Sequence, residues 1–215
     1  MRKRFMFFIG IVTTPNRKHY LDQLLESIEQ TKNRDFAHHV HVEIDTKQLG
    51  VHAMRNRLLL AAQKTDYKFG FLLDDDIFFI RKGWDILYYV HAVTTGYHHL
   101  SYYNPNWIKS PHKPPLNVFQ TQGCLHTFTP KVLDAVGYYD VKNMGRRGVG
   151  HWDWSARACR AGFNNANDFQ DMPNSMLYVD MQIDNYTPAW DNPPKENMQQ
   201  KILIAKRPDR IYVGL

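Results

Sequence analysis

The sequence predicts an α/β fold, with one domain built on a mostly parallel central sheet that helices cover on both faces. Short apolar runs alternate with amphipathic stretches, in the order strand, helix, strand, helix, strand over residues 5–73. Parallel strands need crossover connections of this kind, and those connections are right-handed. A polar stretch follows each strand, at the sheet edge where α/β proteins bind ligands. The 215 residues, 43% of them hydrophobic, suffice for one core.

The first strand is predicted at residues 5–12, and the polar stretch 13–17 (TTPNR) is its exit loop. A helix is predicted over 19–31, because four apolar residues recur there at helical spacing: Leu21, Leu24, Leu25 and Ile28. Thr13 and Arg17 are expected to line a ligand pocket at the sheet edge. The alternative is that they only cap the first helix.

The second strand is predicted at residues 39–45 (HVHVEID), which alternate so that Val40, Val42 and Ile44 share one face. Gly50 is expected to open a second helix whose core-facing residues follow a period near 3.6: Val51, Met54, Leu58 and Ala61 or Ala62. Asp45 then lies at the same edge as the 13–17 loop.

Residues 68–81 (KFGFLLDDDIFFIR) place three consecutive aspartates between two apolar runs. The first run is too short for a helix and is predicted to be a buried strand. Carboxylates crowded at the end of such a strand repel one another and lose hydration, which is unfavourable unless a cation compensates them. Asp74 and Asp76 point to one side and Asp75 to the other. This pattern predicts that Asp74 and Asp76 bind Mn²⁺ or Mg²⁺. The alternative is a solvated acidic turn.

Shorter signals predict the elements of the second half of the chain. Three helices are expected, at residues 82–93, 130–137 and 151–161. Two strands are expected, at 118–128 and 175–181.

The segments between these elements are expected to be irregular. Residues 97–115 are rich in His, Pro and aromatic side chains, which predicts a shaped loop or an edge strand. Gly123 is expected to mark a bulge or a close approach inside its strand. The stretch 145–150 is glycine-rich, and the tail beyond 181 is expected to lie over the surface.

Composition restricts the class of partner. The net charge is +6 and the pI is near 9.2, but Lys and Arg are scattered apart from the first four positions. A phosphate-bearing small molecule accounts for this excess, and no nucleic-acid partner is expected. Cys124 and Cys159 make no disulfide framework. No stretch has the length of a membrane span, and the start of the chain lacks a cleavage site, so a soluble, cytoplasmic protein is expected.

Six sequence elements occur in order along the chain: IVTTPNR at 11–17, Asp45, GVHAMRN at 50–56, DDD at 74–76, the segment 123–140, and GHWDWSAR at 150–157. This set resembles the nucleotide-sugar-dependent glycosyltransferases of the GT-A fold, in particular the inverting family 2 enzymes. GVHAMRN is similar to their glycine, alanine, arginine-asparagine element, and DDD to their DxD motif. The small size also suits virus-encoded enzymes, such as those of large algal viruses, or one domain of a larger protein.

One element departs from the family. GHWDWSAR is similar to the segment in which a glycine, an acidic pair and an arginine supply the catalytic base. Here His151 and Trp152 replace the usual acidic residues and leave Asp153 alone. Asp153 is therefore expected to be the base that takes the proton of the acceptor hydroxyl. Its alternative role is that of a first-turn acid stabilised by the helix dipole. His151 is expected to be a metal ligand, a second base or a polar neighbour.

The resemblance implies a single GT-A (Rossmann-like) domain over residues 1–215, with a nucleotide-binding half at about 1–80 and an acceptor-binding half at about 97–215. It implies inverting transfer from a nucleotide-diphosphate sugar, a UDP-sugar as first choice, to a hydroxyl of a glycan or glycoprotein, with Mn²⁺ or Mg²⁺ as cofactor. The donor-binding residues are then Thr13, Arg17, Asp45, Arg55, Asp74 and Asp75.

Several of these residues have simpler alternative roles. Asp45 is expected to accept a nucleobase N–H, or else to cap the turn after the second strand. Arg55 is expected to add positive charge at the sheet edge, or else to be a surface arginine. Two other functions remain open. A metal-dependent nucleotidyltransferase would need a phosphate-cradling glycine loop, which the sequence does not clearly contain. A non-catalytic nucleotide- or carbohydrate-binding module would explain the missing acidic pair.

Overall fold

A computed structural model describes residues 5–102, 118, 121–145, 150–167, 169, 171 and 179–181. The strands are β1 Met6–Thr13, β2 Ala37–Ile44, β3 Phe69–Asp74, β4 Ile77–Phe79, β5 Ser101–Tyr102, β6 Gln122–Phe128 and β7 Val179–Met181. The helices are α1 Lys18–Thr31, α2 Val51–Gln63, α3 Trp84–Thr95, α4 Pro130–Val136, α5 Val141–Met144 and α6 Gly150–Arg160. A 3₁₀ turn, Pro15–Arg17, connects β1 to α1.

The central sheet has five strands in the order β2-β1-β3-β6-β5. β1 is parallel to β2 and to β3, so the carboxyl ends of these three strands meet at one edge, as predicted. β6 runs antiparallel to β3, from Gly70 opposite Phe128 to Leu73 opposite Leu125. The sheet is therefore mixed. Because β6 runs antiparallel, its beginning lies beside the acidic end of β3, which decides the composition of the site.

Two apolar layers cover the sheet, as the sequence predicted. On one face, the side chains of Phe7 and Ile9 pack with Leu24 of α1 and with Trp84 and Tyr88 of α3. Strand side chains alternate between faces, so the neighbouring β1 residue Phe8 packs on the opposite face. There it joins Met54 and Leu58 of α2, Val132 of α4 and Trp154 of α6. α2 and α6 consequently lie on the same face and converge at the ligand edge.

Some predicted boundaries differ from the structure. β2 is an edge strand, so Val40 and Ile44 are 38% and 48% exposed, whereas Val42 packs partly against the core. β6 begins at Gln122 rather than at Val118. The apolar run after the aspartates forms β4, which pairs with β7 in a separate two-stranded sheet.

Part of the predicted second half lies outside the described residues. This applies to most of 97–115, to 175–178 and to the tail. No helix among the described residues is long and apolar enough to cross a membrane.

Candidate active site

The acidic triplet continues from the end of β3 into the tight turn before β4, with Asp75 and Asp76 in the turn. Asp75 is 3% exposed and accepts hydrogen bonds from Thr13 Oγ at 2.5 Å and from Arg17 Nε at 2.9 Å. Arg17 Nη2 lies 2.7 Å from Asp75 Oδ1 and 2.8 Å from Asp76 Oδ2. The exit of β1 thus holds the acidic turn in place.

Arg17 is itself almost fully buried, with its guanidinium 4.6 Å above the ring of Tyr20. Neither Thr13 nor Arg17 caps α1 through its side chain. The structure therefore brings both residues to the predicted edge, where they bind the aspartates. Their contact with a nucleotide stays a prediction.

Asp74 is held from the other side of the sheet by α2. Arg55 is 2% exposed, and its Nη2 lies 2.6 Å from Asp74 Oδ1. The same nitrogen donates a hydrogen bond to the carbonyl oxygen of Gly123, at the start of β6. Arg55 is therefore a buried arginine aimed at the acidic triplet, and its alternative role as a surface arginine is wrong.

Among the described residues, the three carboxylates are paired with two guanidinium groups, so their negative charge is only partly compensated there. Burial, together with the charge of Asp74, raises the pKa of Asp76 to about 6 in spite of Arg17. Burial also raises the pKa of Asp75. Such shifts mean that the ionised forms are destabilised, which a divalent cation would reverse.

The carboxylates at this edge suit a cation that keeps several of its coordination positions for other ligands. Among the described residues, no group of three or more His, Cys, Asp or Glu side chains converges on a point that could hold a metal ion. Asp74 and Asp76 supply two hard carboxylates, with side chains 32% and 14% exposed. Mg²⁺ and Mn²⁺ are commonly held by one or two carboxylates together with water and substrate phosphates.

Asp45 lies at the same edge, but its carboxylate is hydrogen-bonded to backbone groups of the protein. It is 3% exposed, and its two carboxylate oxygens accept from the backbone N–H groups of Leu49 at 2.8 Å and Gly50 at 2.7 Å. These contacts match its alternative role, since they fix the loop that leads into α2. Nucleobase recognition by Asp45 stays a prediction.

His151 lies on the β6 side of the acidic triplet. Its ring packs so closely on Gly123 that a Cβ built at that glycine would lie 2.9 Å from His151 Cγ. Gly123 is thus a point of close approach, as predicted. The carbonyl of Gly123 also accepts from Arg55, which is paired with Asp74. Gly123 is therefore the single residue that lies between His151 and the Arg55–Asp74 pair.

The structure encloses Asp153 in an ion pair beneath the site, and its role as the base stays a prediction. Its side chain is completely buried, and Asp153 Oδ2 accepts from Arg157 Nε at 3.1 Å and from Arg157 Nη2 at 2.9 Å. Arg157 also donates to the carbonyl oxygens of Val136 and Tyr138. The pair joins α6 to the end of α4. In this structure the carboxylate is directed into the ion pair with Arg157.

A layer of buried rings supports this side of the site, and sequence reasoning did not identify it. It consists of His52, His99, His126, Tyr139 and Trp154. His126 Nδ1 lies 2.8 Å from the hydroxyl oxygen of Tyr139. His99 lies between the carbonyl oxygen of Thr127 and the hydroxyl of Ser155. One signal was present, since a histidine inside the apolar run CLHTF points to a buried ring.

Asn56, the neighbour of Arg55 on α2, ties this layer to α2. Its amide exchanges two hydrogen bonds with the backbone of Tyr139, at 2.9 and 2.8 Å. His52 contributes a second link, since its Nδ1 lies 2.9 Å from the carbonyl oxygen of Gly145. The arginine-asparagine pair of the sequence therefore has two separate tasks, one at the acidic triplet and one in the ring layer.

Comparison with known proteins gives matches at the level of structure. No protein-family model and no curated protein sequence matches this chain. A point mutant of Drosophila β1,4-galactosyltransferase 7, solved with manganese, UDP-Gal and xylobiose, superimposes with a TM-score of 0.61 at 16% identity, over 94% of this chain and 81% of that one.

A second match is residues 1–349 of S. aureus TarS. The complex with UDP gives a TM-score of 0.51 at 14% identity, and the form solved without it gives 0.50. This chain is covered over 81% in both, and it spans 60% of the TarS fragment. At these identities the similarity concerns the fold alone. With its mixed, mostly parallel sheet between helices, the chain has the fold of the GT-A glycosyltransferases.

Proposed function

We propose that this chain is a metal-dependent glycosyltransferase that moves a sugar from a nucleoside-diphosphate sugar to a hydroxyl group of a glycan. The observation that carries the proposal is the convergence of Asp74, Asp75 and Asp76 with Arg17 and Arg55 at the carboxyl edge of β1 and β3. In a sheet of this type, ligands bind beyond that edge.

The nature of the donor is inferred from the fold and from the residues together. The galactosyltransferase with this fold was solved with manganese and UDP-Gal, and TarS with UDP. A UDP-sugar is therefore the first choice of donor and Mn²⁺ the first choice of cation. Transfer in one displacement, with inversion at the anomeric carbon, requires a base on the side opposite the leaving diphosphate.

The residues at the edge have distinct roles in this reaction. Asp74 and Asp76 would hold the cation, which when bound supplies a Lewis acid for the negative charge that builds on the diphosphate. Arg55 is held rigidly by Asp74 and by the Gly123 carbonyl, so its charge is oriented before the donor arrives. Arg17 fixes the turn that carries Asp75 and Asp76.

Thermal unfolding of the full chain with Mn²⁺, with UDP and with both tests this proposal. Because a ligand at 100 times its Kd stabilises by about 2.7 kcal/mol, the pair should raise Tm by roughly 5–10 °C, more than the sum of the two alone. Asp76→Ala should abolish this synergy. Asp22→Ala, which removes an exposed carboxylate of α1, should leave it intact.

The outcomes separate the candidate functions. Equal synergy in wild type and Asp76→Ala would overturn the metal assignment. Synergy without release of UDP from any UDP-sugar would favour a non-catalytic binding module. Where transfer occurs, NMR of the product shows whether the anomeric configuration is inverted.

A further inference from the structure

Two side chains at the start of α6 are able to accept a proton, and they point in different directions. His151 and Asp153 are two positions apart, and 100° of rotation per residue places them about 200° apart around the helix. One therefore faces the ligand edge when the other faces the core. Asp153 is fully buried, whereas His151 is partly exposed.

The environment of Asp153 favours a structural role. It is paired with Arg157, and both side chains are completely excluded from solvent. Burial lowers the pKa of Arg157, and the charge of Asp153 counteracts this effect. A carboxylate that compensates a buried guanidinium is needed in its ionised form. Protonation during catalysis would leave Arg157 without its counter-charge.

The environment of His151 places it close to the Arg55–Asp74 pair. Its ring rests on Gly123, whose carbonyl accepts from Arg55, and Arg55 holds Asp74 at 2.6 Å. The ring of His126 lies 6.2 Å away and that of Trp152 5.3 Å away. His151 is thus the titratable side chain of α6 that is both partly exposed and adjacent to the donor edge.

The described ring nearest to His151 on a neighbouring strand is that of His126 on β6, 6.2 Å away. Among the described residues, Arg55 and His52 of α2 act electrostatically on the same His126 ring. Burial, followed by the charge of Arg55 and the other histidines, holds the pKa of His126 well below its usual range. His126 is therefore neutral at pH 7 and does not compete for the proton.

We propose that His151 is the general base of this chain and that Asp153 is a positioning residue acting through Arg157. This rests on the proposed glycosyltransferase function. An imidazole nitrogen of His151 takes the proton of the acceptor hydroxyl while the acceptor oxygen bonds to the anomeric carbon. The bond from that carbon to the diphosphate oxygen breaks, and the diphosphate leaves with the electron pair. The products are a glycoside, a nucleoside diphosphate and an imidazolium.

Histidine is suited to this task at neutral pH. A general base is most effective when its pKa lies near the working pH, and imidazole as a class titrates near 6.5. At this position the sequence differs from the family that it resembles, in which an acidic residue is usual. The change exchanges one kind of base for another and keeps a base at the site.

The experiment measures release of UDP by the full chain with Mn²⁺, from UDP-galactose and UDP-N-acetylglucosamine, to xylobiose or to water. His151→Ala should lower kcat by about 10²–10⁴-fold, with UDP affinity and Tm near those of wild type. Added imidazole should restore part of the lost rate. His151→Asp should restore activity with the acidic limb of the pH profile about two units lower. His39→Ala, an exposed histidine on the edge strand β2, is the matched control.

Asp153→Asn should behave differently. It should lower Tm by several degrees because it leaves a buried guanidinium uncompensated, and at a temperature where it is folded kcat should stay within about tenfold of wild type. Undiminished transfer by His151→Ala, or a wild-type Tm together with lost transfer in Asp153→Asn, would overturn the assignment.

Two further outcomes are distinguishable. A wild-type chain that binds UDP and Mn²⁺ but releases UDP from neither donor would count against a working base, and so against this inference, while the donor site stands. Absence of any UDP or Mn²⁺ binding would refute the proposed function itself.

Discussion

Arg55 Nη2 lies 2.6 Å from Asp74 Oδ1 and joins the acidic end of β3 to the beginning of β6. This one contact connects the two sides of the candidate site. Asp74 belongs to the cluster that would receive the donor, and Gly123, which accepts from the same nitrogen, supports His151. The burial of Arg55 makes the link rigid, since a side chain 2% exposed has few alternative positions.

Replacement of Arg55 by Gln is expected to weaken the donor site. The variant loses the charge beside Asp74 and leaves hydrogen-bond acceptors unsatisfied, which should lower the free energy of unfolding by about 1–3 kcal/mol. The Kd for UDP with Mn²⁺, measured by calorimetry, should rise at least tenfold. Arg57→Ala on the same helix is the control, because Arg57 is half exposed and its contact with Glu43 is 3.6 Å long. Equal UDP affinity in both variants would contradict the role given to Arg55.

Much of the fold could be predicted from the sequence. The spacing of Leu21, Leu24 and Ile28 gave α1, and the run at 69–73 gave β3, because both reflect which face of an element is buried. The antiparallel direction of β6 could not be derived in this way. An apolar run has the same pattern in either direction, so only the complete sheet determines it.

The site was predicted less completely than the fold. The convergence of Thr13, Arg17 and the acidic triplet follows from parallel strands, but the pairing of Arg17 with Asp75 depends on contacts between residues 58 positions apart. For α6, the sequence favoured Asp153 over His151 by chemical type. Only the packing of the helix on β6 and α4 decides which of the two faces the core, because their side chains lie about 200° apart around the helix.

Gly123→Ala is expected to displace His151 from its position. The added Cβ would meet the His151 ring at 2.9 Å, so either the ring or the strand must shift. Transfer should fall by tenfold or more while UDP affinity changes little. The double variant Gly123→Ala/His151→Ala is the control, since without the ring the extra methyl group has no further effect on transfer. Additive losses in the double variant would indicate that Gly123 acts on something other than His151.

Gly150→Ala is expected to destabilise the junction of α2 and α6. A Cβ at this position would lie 2.3 Å from His52 Nε2, which is closer than any real contact, so α6 must move or His52 must turn away. Overpacking of this kind costs about 1–3 kcal/mol, measurable by urea unfolding. In a His52→Ala background the same substitution should cost less, because the ring that it meets is gone. An equal cost in both backgrounds would show that the clash lies elsewhere.

The buried histidines predict that stability falls in mild acid. Burial lowers the pKa of His52 and of His99 to about 4, and hydrogen bonds to Gly145 and Thr127 only partly offset it. Both are neutral in the folded chain, whereas in the unfolded chain they titrate near 6.5. The unfolded state therefore binds more protons between pH 6.5 and 4, so stability is complete above 6.5 and declines as the pH falls through this window.

This decline is measurable by urea unfolding at pH 7.5, 6.0 and 5.0. Each group contributes up to roughly 3 kcal/mol across the whole window. His99→Gln should be less stable at pH 7.5, because Ser155 loses its partner. The slope of its free energy of unfolding against pH should nevertheless correspond to about one proton fewer than in wild type. His19→Ala, which removes an exposed histidine of α1, should keep the wild-type slope. An unchanged slope in His99→Gln would mean that His99 binds protons equally in the folded and unfolded chains, and would contradict the lowered pKa of its buried ring.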